Sequence, residues 1–106
     1  MPRTTEHSIT ATDLRNLLSG EGGVDLERIV EGGTQVAMRI VGVSPGTTAA
    51  RLGAQNGDTI ESINDMPLLS IAAAYQAGDA AAKQDRIVIK GKRDGEPYVT
   101  ILTMKR

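Results

Sequence analysis

The residues of this chain that could do acid–base chemistry are one histidine and three carboxylates that are close together in sequence. His7 is next to Ser8, but adjacent residues do not give the geometry of a nucleophile and its base. Asp58, Glu61 and Asp65 could suggest paired carboxylates. Asp58, however, follows Asn-Gly in a turn, where an aspartate most often accepts backbone N–H bonds. We therefore expect no enzyme, and a hydrolase built on these carboxylates is the weakest alternative.

Metal and cofactor sites are also not expected from the residue types present. The chain has no cysteine and a single histidine, which leaves scattered carboxylates as the only other ligands for zinc. Its glycines match neither a phosphate-binding loop nor a dinucleotide-binding fingerprint. We predict no catalytic residue, no metal site and no cofactor.

Composition indicates an ordinary soluble domain. A chain of 106 residues suggests one domain. Its net charge of −1 and interleaved basic and acidic residues argue against a nucleic-acid partner. No apolar run approaches the roughly 20 residues that span a membrane, and the first residues lack the apolar core of a signal peptide. Membrane attachment would therefore need a segment that is absent from this chain.

Turn residues divide the chain into short elements. We expect a flexible segment over 1–7, and then a leading helix over 8–20 that presents Leu14, Leu17 and Leu18 on one face. Predicted strands cover 24–31 and 35–43, joined by a turn at Gly32-Gly33, and 59–64, followed by a turn at Asn64-Asp65. The other predicted helices are a short one after Thr47 or Thr48 and an Ala-rich one from Ile71 to about Lys83 capped by Ser70. A hairpin that turns at Asp94-Gly95 ends the chain.

These elements predict an α+β domain over 8–106, with its core in 24–106. Five or six short strands should form a curled antiparallel sheet, or partial barrel. The Ala-rich helix should cap one open side of it, and the short helix and the leading helix complete the set. No internal repeat is visible.

One stretch of the chain has the pattern of a known family. Its segments in order are Val43-Ser44-Pro45-Gly46, Ala49-Ala50-Arg51-Leu52-Gly53, Asn56-Gly57-Asp58-Thr59-Ile60 and Ile63-Asn64. The region over 39–67 resembles a bacterial PDZ domain. The resemblance implies a PDZ-like fold and a binding module.

Four further features are similar to the periplasmic PDZ domain of the general secretion pathway protein C family, an inner-membrane component of the type II secretion system. They are the leading helix, Arg28-Ile29-Val30 before a glycine hairpin, the run Met38 to Val43, and the run Ala50 to Asp58. This resemblance covers roughly residues 8–104. It implies a periplasmic domain that contacts secreted proteins, the secretin or other secretion components, with membrane attachment elsewhere in the protein.

The resemblance to PDZ domains also implies where a peptide would bind. An extended peptide adds to an exposed sheet edge and places alternate side chains in pockets. We expect that edge at 39–43, with 36–38 as the entrance loop and the Ala-rich helix as the opposite wall. The predicted groove residues are Val36, Ala37, Met38, Arg39, Ile40, Val41, Gly42, Ile71, Ala74, Tyr75 and Gly78. Replacing Ile40 with Glu should then abolish binding and leave the fold intact.

Two alternatives to this interpretation stay open. The domain could serve a periplasmic or intramembrane protease, in which a PDZ domain supplies peptides to a catalytic domain elsewhere in the chain. Alternatively, the apolar groove residues could simply be core, because such positions most often serve packing.

Overall fold

Eight strands, two complete helices and a helical segment at residues 11–13 are present in the part of the chain that the structure describes. The structure is a computed structural model that describes residues 3–13 and 24–105. The elements are β1 (Arg3–Thr10), β2 (Val24–Glu31), β3 (Thr34–Val43), α1 (Thr48–Arg51), β4 (Thr59–Ile60), β5 (Ser62–Ile63), β6 (Met66–Pro67), α2 (Ile71–Ala81), β7 (Arg86–Arg93) and β8 (Glu96–Lys105). Neither of these helices combines the length and the apolarity needed to cross a membrane.

The strands form two sheets that enclose a partial barrel. One sheet has the order β1-β8-β7-β5-β6, and the other has the order β2-β3-β4. The α+β class and the partial barrel are as predicted. The expectation of a wholly antiparallel sheet is wrong at one point, because β1 pairs with β8 in parallel along its full length. Antiparallel neighbours in sequence can pair through a tight turn, whereas a parallel pair joins distant segments that local patterns do not reveal.

Two-residue turns connect three of the antiparallel strand pairs. Each turn has two successive residues with positive φ: Gly32 and Gly33 between β2 and β3, Asn64 and Asp65 between β5 and β6, and Asp94 and Gly95 between β7 and β8. Such turns match the right-handed twist of the strands that they join. All three were predicted as turns from Gly, Asn and Asp.

The first residues differ from the prediction. We expected a flexible segment over 1–7 and a helix from residue 8, but Arg3–Thr10 is strand β1. A helical conformation starts only at residue 11. Thr10 begins it with reciprocal bonds: the Asp13 N–H donates to Thr10 Oγ1 at 3.1 Å, and the Thr10 N–H donates to Asp13 Oδ2 at 3.3 Å. The rest of the predicted leading helix, including Leu14, Leu17 and Leu18, lies outside the described residues.

The strand predicted over 59–64 is divided between the two sheets. Its first half, β4, pairs with β3, and its second half, β5, pairs with β7. Where the chain passes between the sheets it runs directly over Gly91 of β7, and a Cβ at that position would overlap the Thr59 carbonyl. A side chain at 91 is therefore incompatible with this crossing.

Two apolar clusters hold the layers together. The larger one joins β1, α2, β7 and β8 through Ile9, Ala81, Ile87, Leu102 and Met104. The smaller one joins β3 to α2 through Met38, Leu68 and Ala77. Helix α2 begins as predicted, with the Ala73 N–H donating to Ser70 Oγ at 2.9 Å. Small residues on α2 let it lie close to the sheets.

Candidate functional site

Strand β3, the predicted binding edge, has partners on both sides. β2 pairs with it from Val24↔Val43 to Glu31↔Thr34. β4 occupies the other side opposite Met38 and Arg39, and the Ile40 N–H and carbonyl bond to Asp58 O and Gly57 N at 2.8 and 2.7 Å. The prediction of a free edge at 39–43 is therefore wrong. Residues 36–38 are also strand and not an entrance loop, because β3 begins immediately after the Gly32-Gly33 turn.

The long edge strand of this sheet is β2, and the other edge strand, β4, has only two residues. In the sheet order β2-β3-β4, β2 has β3 on one side, and no strand among the described residues pairs with its other side. A single-sided strand leaves a row of backbone donors and acceptors for another chain. The location of the free edge thus moves by one strand from the predicted one.

One face of this edge carries Leu26, Arg28 and Val30. Leu26 is opposite Ile40 and Arg28 is opposite Met38, and directly opposed residues share a face of the sheet. We call this side of β2 and β3 the groove face. Leu26 and Val30 are 46% and 49% exposed, so they are apolar side chains with half of their surface uncovered. Strand addition at β2 would cover them.

A buried glutamine links the groove face to the start of α2. Gln35 is 3% exposed. Its Nε2 donates to the Leu68 carbonyl at 2.9 Å and lies 3.3 Å from Met38 Sδ. Its Oε1 accepts from Arg28 Nε at 2.7 Å. Because the amide nitrogen is committed as a donor to Leu68, the oxygen must face Arg28, so the orientation of both side chains follows from one network.

A cavity of about 600 Å³ opens between the two sheets and α2. This volume is in the range typical of ligand pockets. Apolar side chains line most of it, including Leu26, Met38 and Ile40 from the three-stranded sheet and Ile87, Ile89 and Leu102 from the other sheet. Leu26 is therefore both a groove-face residue and part of the cavity wall. An apolar side chain added beside β2 has space to enter.

Helix α2 forms one wall of the cavity. Ala74 and Gly78 line the cavity, and their small size leaves it wide. Ile71 and Tyr75 are in the same helix, but their side chains lie outside the described part of the structure. The predicted pocket lining by these two residues stays a prediction.

Asp58 and Arg93, which both line the cavity, form a bidentate ion pair. Arg93 Nε donates to Asp58 Oδ1 at 2.8 Å and Arg93 Nη2 donates to Asp58 Oδ2 at 2.6 Å. Arg93 Nη2 also donates to the Gly53 carbonyl, and the Gln55 N–H donates to Asp58 Oδ2. The predicted turn role of Asp58 is thus present, and the bond to Arg93 adds to it.

Tyr98 packs against this pair. The Arg93 guanidinium carbon is 5.3 Å from the centre of the Tyr98 ring, and Tyr98 Oη donates to the Thr59 carbonyl at 2.7 Å. Burial, followed by the nearby Asp58 carboxylate, raises the pKa of Tyr98 to about 12. The cluster joins β8, β7 and the turn before β4, so its role is to hold these elements together.

The residues considered for catalysis are not assembled into a reactive site. His7 faces the cavity, and Ser8, its neighbour on β1, must point to the other side of the sheet. Asp58 is held by Arg93, and Asp65 pairs with Lys90 at the surface. Within residues 3–13 and 24–105, no group of three His, Asp or Glu side chains could hold a metal ion.

The family follows from comparison with known domains. A family model described as "PDZ domain" matches residues 39–93, which is more than half of the chain. The chain belongs to the PDZ family. No curated protein matches its sequence.

Solved structures have the same fold as this PDZ domain. The PDZ domain of EpsC from Vibrio cholerae matches with a TM-score of 0.66 and 15% identity, over 87% of this chain and 88% of that one. The PDZ domain of the pullulanase C protein of the type II secretion system from Klebsiella pneumoniae, solved in complex with fatty acid, matches with a TM-score of 0.62 and 18% identity, over 84% of this chain and 89% of that one. At these identities the likeness shows the fold.

The structure brings together some of the predicted groove residues of this PDZ domain and separates others. Met38, Ile40, Ala74 and Gly78 line the cavity. Val36, Ala37, Arg39, Val41 and Gly42 are not among the described residues that line it. Arg39 instead pairs with Glu27 at 2.8 Å; these two oppose each other in the β2–β3 ladder, on the side away from the groove face.

The sequence interpretation missed Leu26, Arg28, Val30 and Gln35. A usable signal was present, because 24–31 alternates: even positions carry Val24, Leu26, Arg28 and Val30, and odd positions include three acidic residues. That alternation predicts a strand with one apolar face. The sequence pattern did not show that β2, and not β3, is the long edge strand of the sheet.

Proposed function

We propose that this PDZ domain is a protein-interaction module that binds extended protein segments by strand addition at β2. The observation that carries the proposal is that, within the described part of the chain, β2 is paired on one side only, next to half-exposed Leu26 and Val30 and a cavity bordered by α2. Backbone bonds along β2 would supply affinity, and the cavity would accept an apolar side chain. The domain acts by binding and not by catalysis.

We further propose that the module works in the periplasm as part of a type II secretion machinery. The sequence resemblance to general secretion pathway protein C and the fold shared with the pullulanase C domain support this assignment. Candidate partners are secreted proteins, the secretin or other machinery components. A gene that encodes one membrane helix and a small β domain before this PDZ domain supports the proposal, whereas a protease domain there supports the protease alternative.

The variants that test strand addition must change exposed side chains, so that the fold is kept. Ile40 is 5% exposed, so Ile40→Glu would disrupt the core, whereas Leu26→Glu changes a side chain that is 46% exposed. The probe is the peptide Ac-Thr-Val-Thr-Gln-Thr-Leu-Thr-NH2, followed by NMR of backbone amides. We expect the largest shifts in β2 and α2, and binding at least about tenfold weaker in Leu26→Glu, because a charge would face the apolar cavity.

Val41→Glu is the matched control for Leu26→Glu. Val41 is 44% exposed, close to the 46% of Leu26, but it does not line the cavity with Leu26. The control should bind the peptide as the unmodified domain does. Equal loss in both variants, or shifts confined to residues outside β2 and α2, would contradict strand addition at this edge.

A second candidate function is binding of a single apolar chain in the cavity. The observation that favours it is the volume of about 600 Å³ with mostly apolar walls, together with the fatty acid bound to the pullulanase C domain. Titration with palmitic acid tests it, with Ala74→Leu as the variant that fills part of the cavity. Binding that Ala74→Leu weakens, and that competes with the peptide, supports a shared site. Equal affinity of palmitic acid for the unmodified domain and for the Ala74→Leu variant would contradict binding in this cavity.

A further inference from the structure

Arg28 is a positively charged side chain on the groove face, between the apolar Leu26 and Val30. It belongs to the free-edge strand β2 and it is exposed. Among residues 3–13 and 24–105, no carboxylate lies within ion-pair distance of it. Three other described arginines do have such a partner: Arg39 pairs with Glu27, Arg51 with Asp13 and Arg93 with Asp58, whereas Arg3 and Arg86 in the described ranges have none. A ligand strand added at β2 would therefore run past a guanidinium that has no counter-charge among these described residues.

The Arg28 guanidinium is also held in place. Its Nε bonds to Gln35 Oε1 at 2.7 Å, and Gln35 is itself fixed by the Leu68 carbonyl. An arginine has five N–H donors, so Nη1 and Nη2 retain donors that can meet both oxygens of one carboxylate. Because the anchor is already present, less side-chain entropy is lost when a ligand binds.

The register of β2 predicts the order of the ligand's residues. Leu26, at the cavity, and Arg28 are two positions apart on one face. A ligand strand presents alternate side chains to that face. Antiparallel pairing is somewhat more stable per residue than parallel pairing. An antiparallel ligand would therefore reach Arg28 two positions before it reaches Leu26.

We propose that Arg28 is a specificity-determining residue that selects an acidic side chain two positions before a large apolar residue in the ligand. This inference rests on the proposed strand addition at β2. The partner is then a protein with an extended acidic–x–apolar segment. The apolar residue enters the cavity beside Leu26, and the acidic residue pairs with Arg28 at the groove.

The experiment compares two amidated peptides, Ac-Thr-Val-Thr-Glu-Thr-Leu-Thr-NH2 and the same peptide with Gln in place of Glu. We expect the Glu peptide to bind about fivefold more tightly at low salt, as is typical of a partly exposed ion pair. The advantage should shrink in 0.5 M salt, which screens the charges. Arg28→Gln should remove it. Arg39→Gln, which changes an exposed arginine on the opposite face, should keep it.

The outcomes separate this inference from the proposed function. If neither peptide shifts the β2 amides, strand addition itself fails. If both shift them with equal affinity, or if Arg28→Gln keeps the preference for Glu, strand addition stands and the role of Arg28 is wrong. A third peptide carries Gln and a free C-terminal carboxylate. If it binds more tightly than the amidated Gln peptide, and Arg28→Gln removes that difference, Arg28 binds the ligand's C-terminal carboxylate and not an acidic side chain. A preference for a peptide in which Leu comes two positions before Glu would overturn the antiparallel order.

Discussion

Arg28 and Arg93 show how the same residue type takes different roles in two regions of this domain. Arg93 meets Asp58 with two nitrogens, bonds to the Gly53 carbonyl and covers the Tyr98 ring. Arg28 bonds through Nε to a neutral amide and stands at a free sheet edge. The first guanidinium is satisfied by its own chain and holds turns together. The second has donors left for another chain, and this difference separates a structural arginine from a recognition residue.

The largest expected effect comes from breaking the satisfied pair. Asp58→Ala leaves Arg93 partly buried without its carboxylate and removes the acceptor of the Gln55 N–H. We expect a loss of about 3 kcal/mol in the free energy of unfolding, measured by urea denaturation. Asp65→Asn is the control, because Asn tolerates the positive φ of residue 65, and loss of the exposed pair with Lys90 should change stability by less than about 0.5 kcal/mol. Similar losses in both variants would contradict the contrast.

Alkaline pH should lower the free energy of unfolding through ionisation of Tyr98, which packs against the same ion pair. The pKa of Tyr98 is raised to about 12 in the folded domain, against about 10 in an unfolded chain. The folded domain holds the phenol proton more tightly, so this contribution is complete below pH 10 and is lost as pH rises from 10 to 12. The loss amounts to roughly 2–3 kcal/mol at most.

Urea titrations at pH 9 and pH 12 measure this contribution, with Tyr98→Phe as the reference. Tyr98→Phe should cost about 1 kcal/mol at neutral pH, because it removes the bond to the Thr59 carbonyl. Between pH 9 and pH 12, the free energy of unfolding of Tyr98→Phe should also decrease less than that of the unmodified domain. An identical decrease in both would show that Tyr98 does not carry the effect.

Gln35→Leu should have an intermediate effect on stability and should also weaken peptide binding at the groove face. The substitution leaves the buried Leu68 carbonyl without its donor and releases Arg28. We expect about 1–2 kcal/mol of destabilisation. Affinity for the Glu peptide should fall further than affinity for the Gln peptide, because the guanidinium is no longer held. Loss of both affinities in equal proportion would mean that Gln35 supports the groove without positioning Arg28.

Arg28→Gln should have a smaller effect on stability than Gln35→Leu. This exposed side chain has no carboxylate partner within the described ranges, so its removal costs only the bond from Arg28 Nε to the buried Gln35 Oε1, and we expect a loss of about 1 kcal/mol in the free energy of unfolding. Arg93→Gln should cost about 2 kcal/mol in the same measurement, because it leaves Asp58 buried and uncompensated. Equal costs for the two arginine variants would remove the distinction on which the specificity proposal depends.

Local patterns predicted the parts of the fold that depend on near neighbours. The three two-residue turns, the Ser70 cap of α2 and the backbone bond of Asp58 each involve residues within a few positions of one another. In such cases the residue type alone determines the local conformation, as Gly or Asn does at positive φ.

Features that depend on distant pairing were not predictable in this way. Strand β1 is polar and alternates weakly, and it becomes a strand because Thr5 meets Thr100 and its neighbours pair likewise along β8. The bond between Asp58 and Arg93 joins residues 35 positions apart. The choice of β2 over β3 as the free edge depends on where β4 pairs, which no stretch of sequence shows by itself.

The parallel ladder between β1 and β8 has a mechanical consequence. Arg3 lies beside Tyr98, and Thr10 lies beside Lys105, so the start of β1 and the end of β8 are at opposite ends of the ladder, about 23 Å apart. Tension applied through residues 3 and 105 would pull the two strands along their own length in opposite directions. All backbone bonds of the ladder would then share the load, whereas a peeling force would break them one at a time. A domain loaded in this direction resists being stretched while β2, outside the load path, stays available to its ligand.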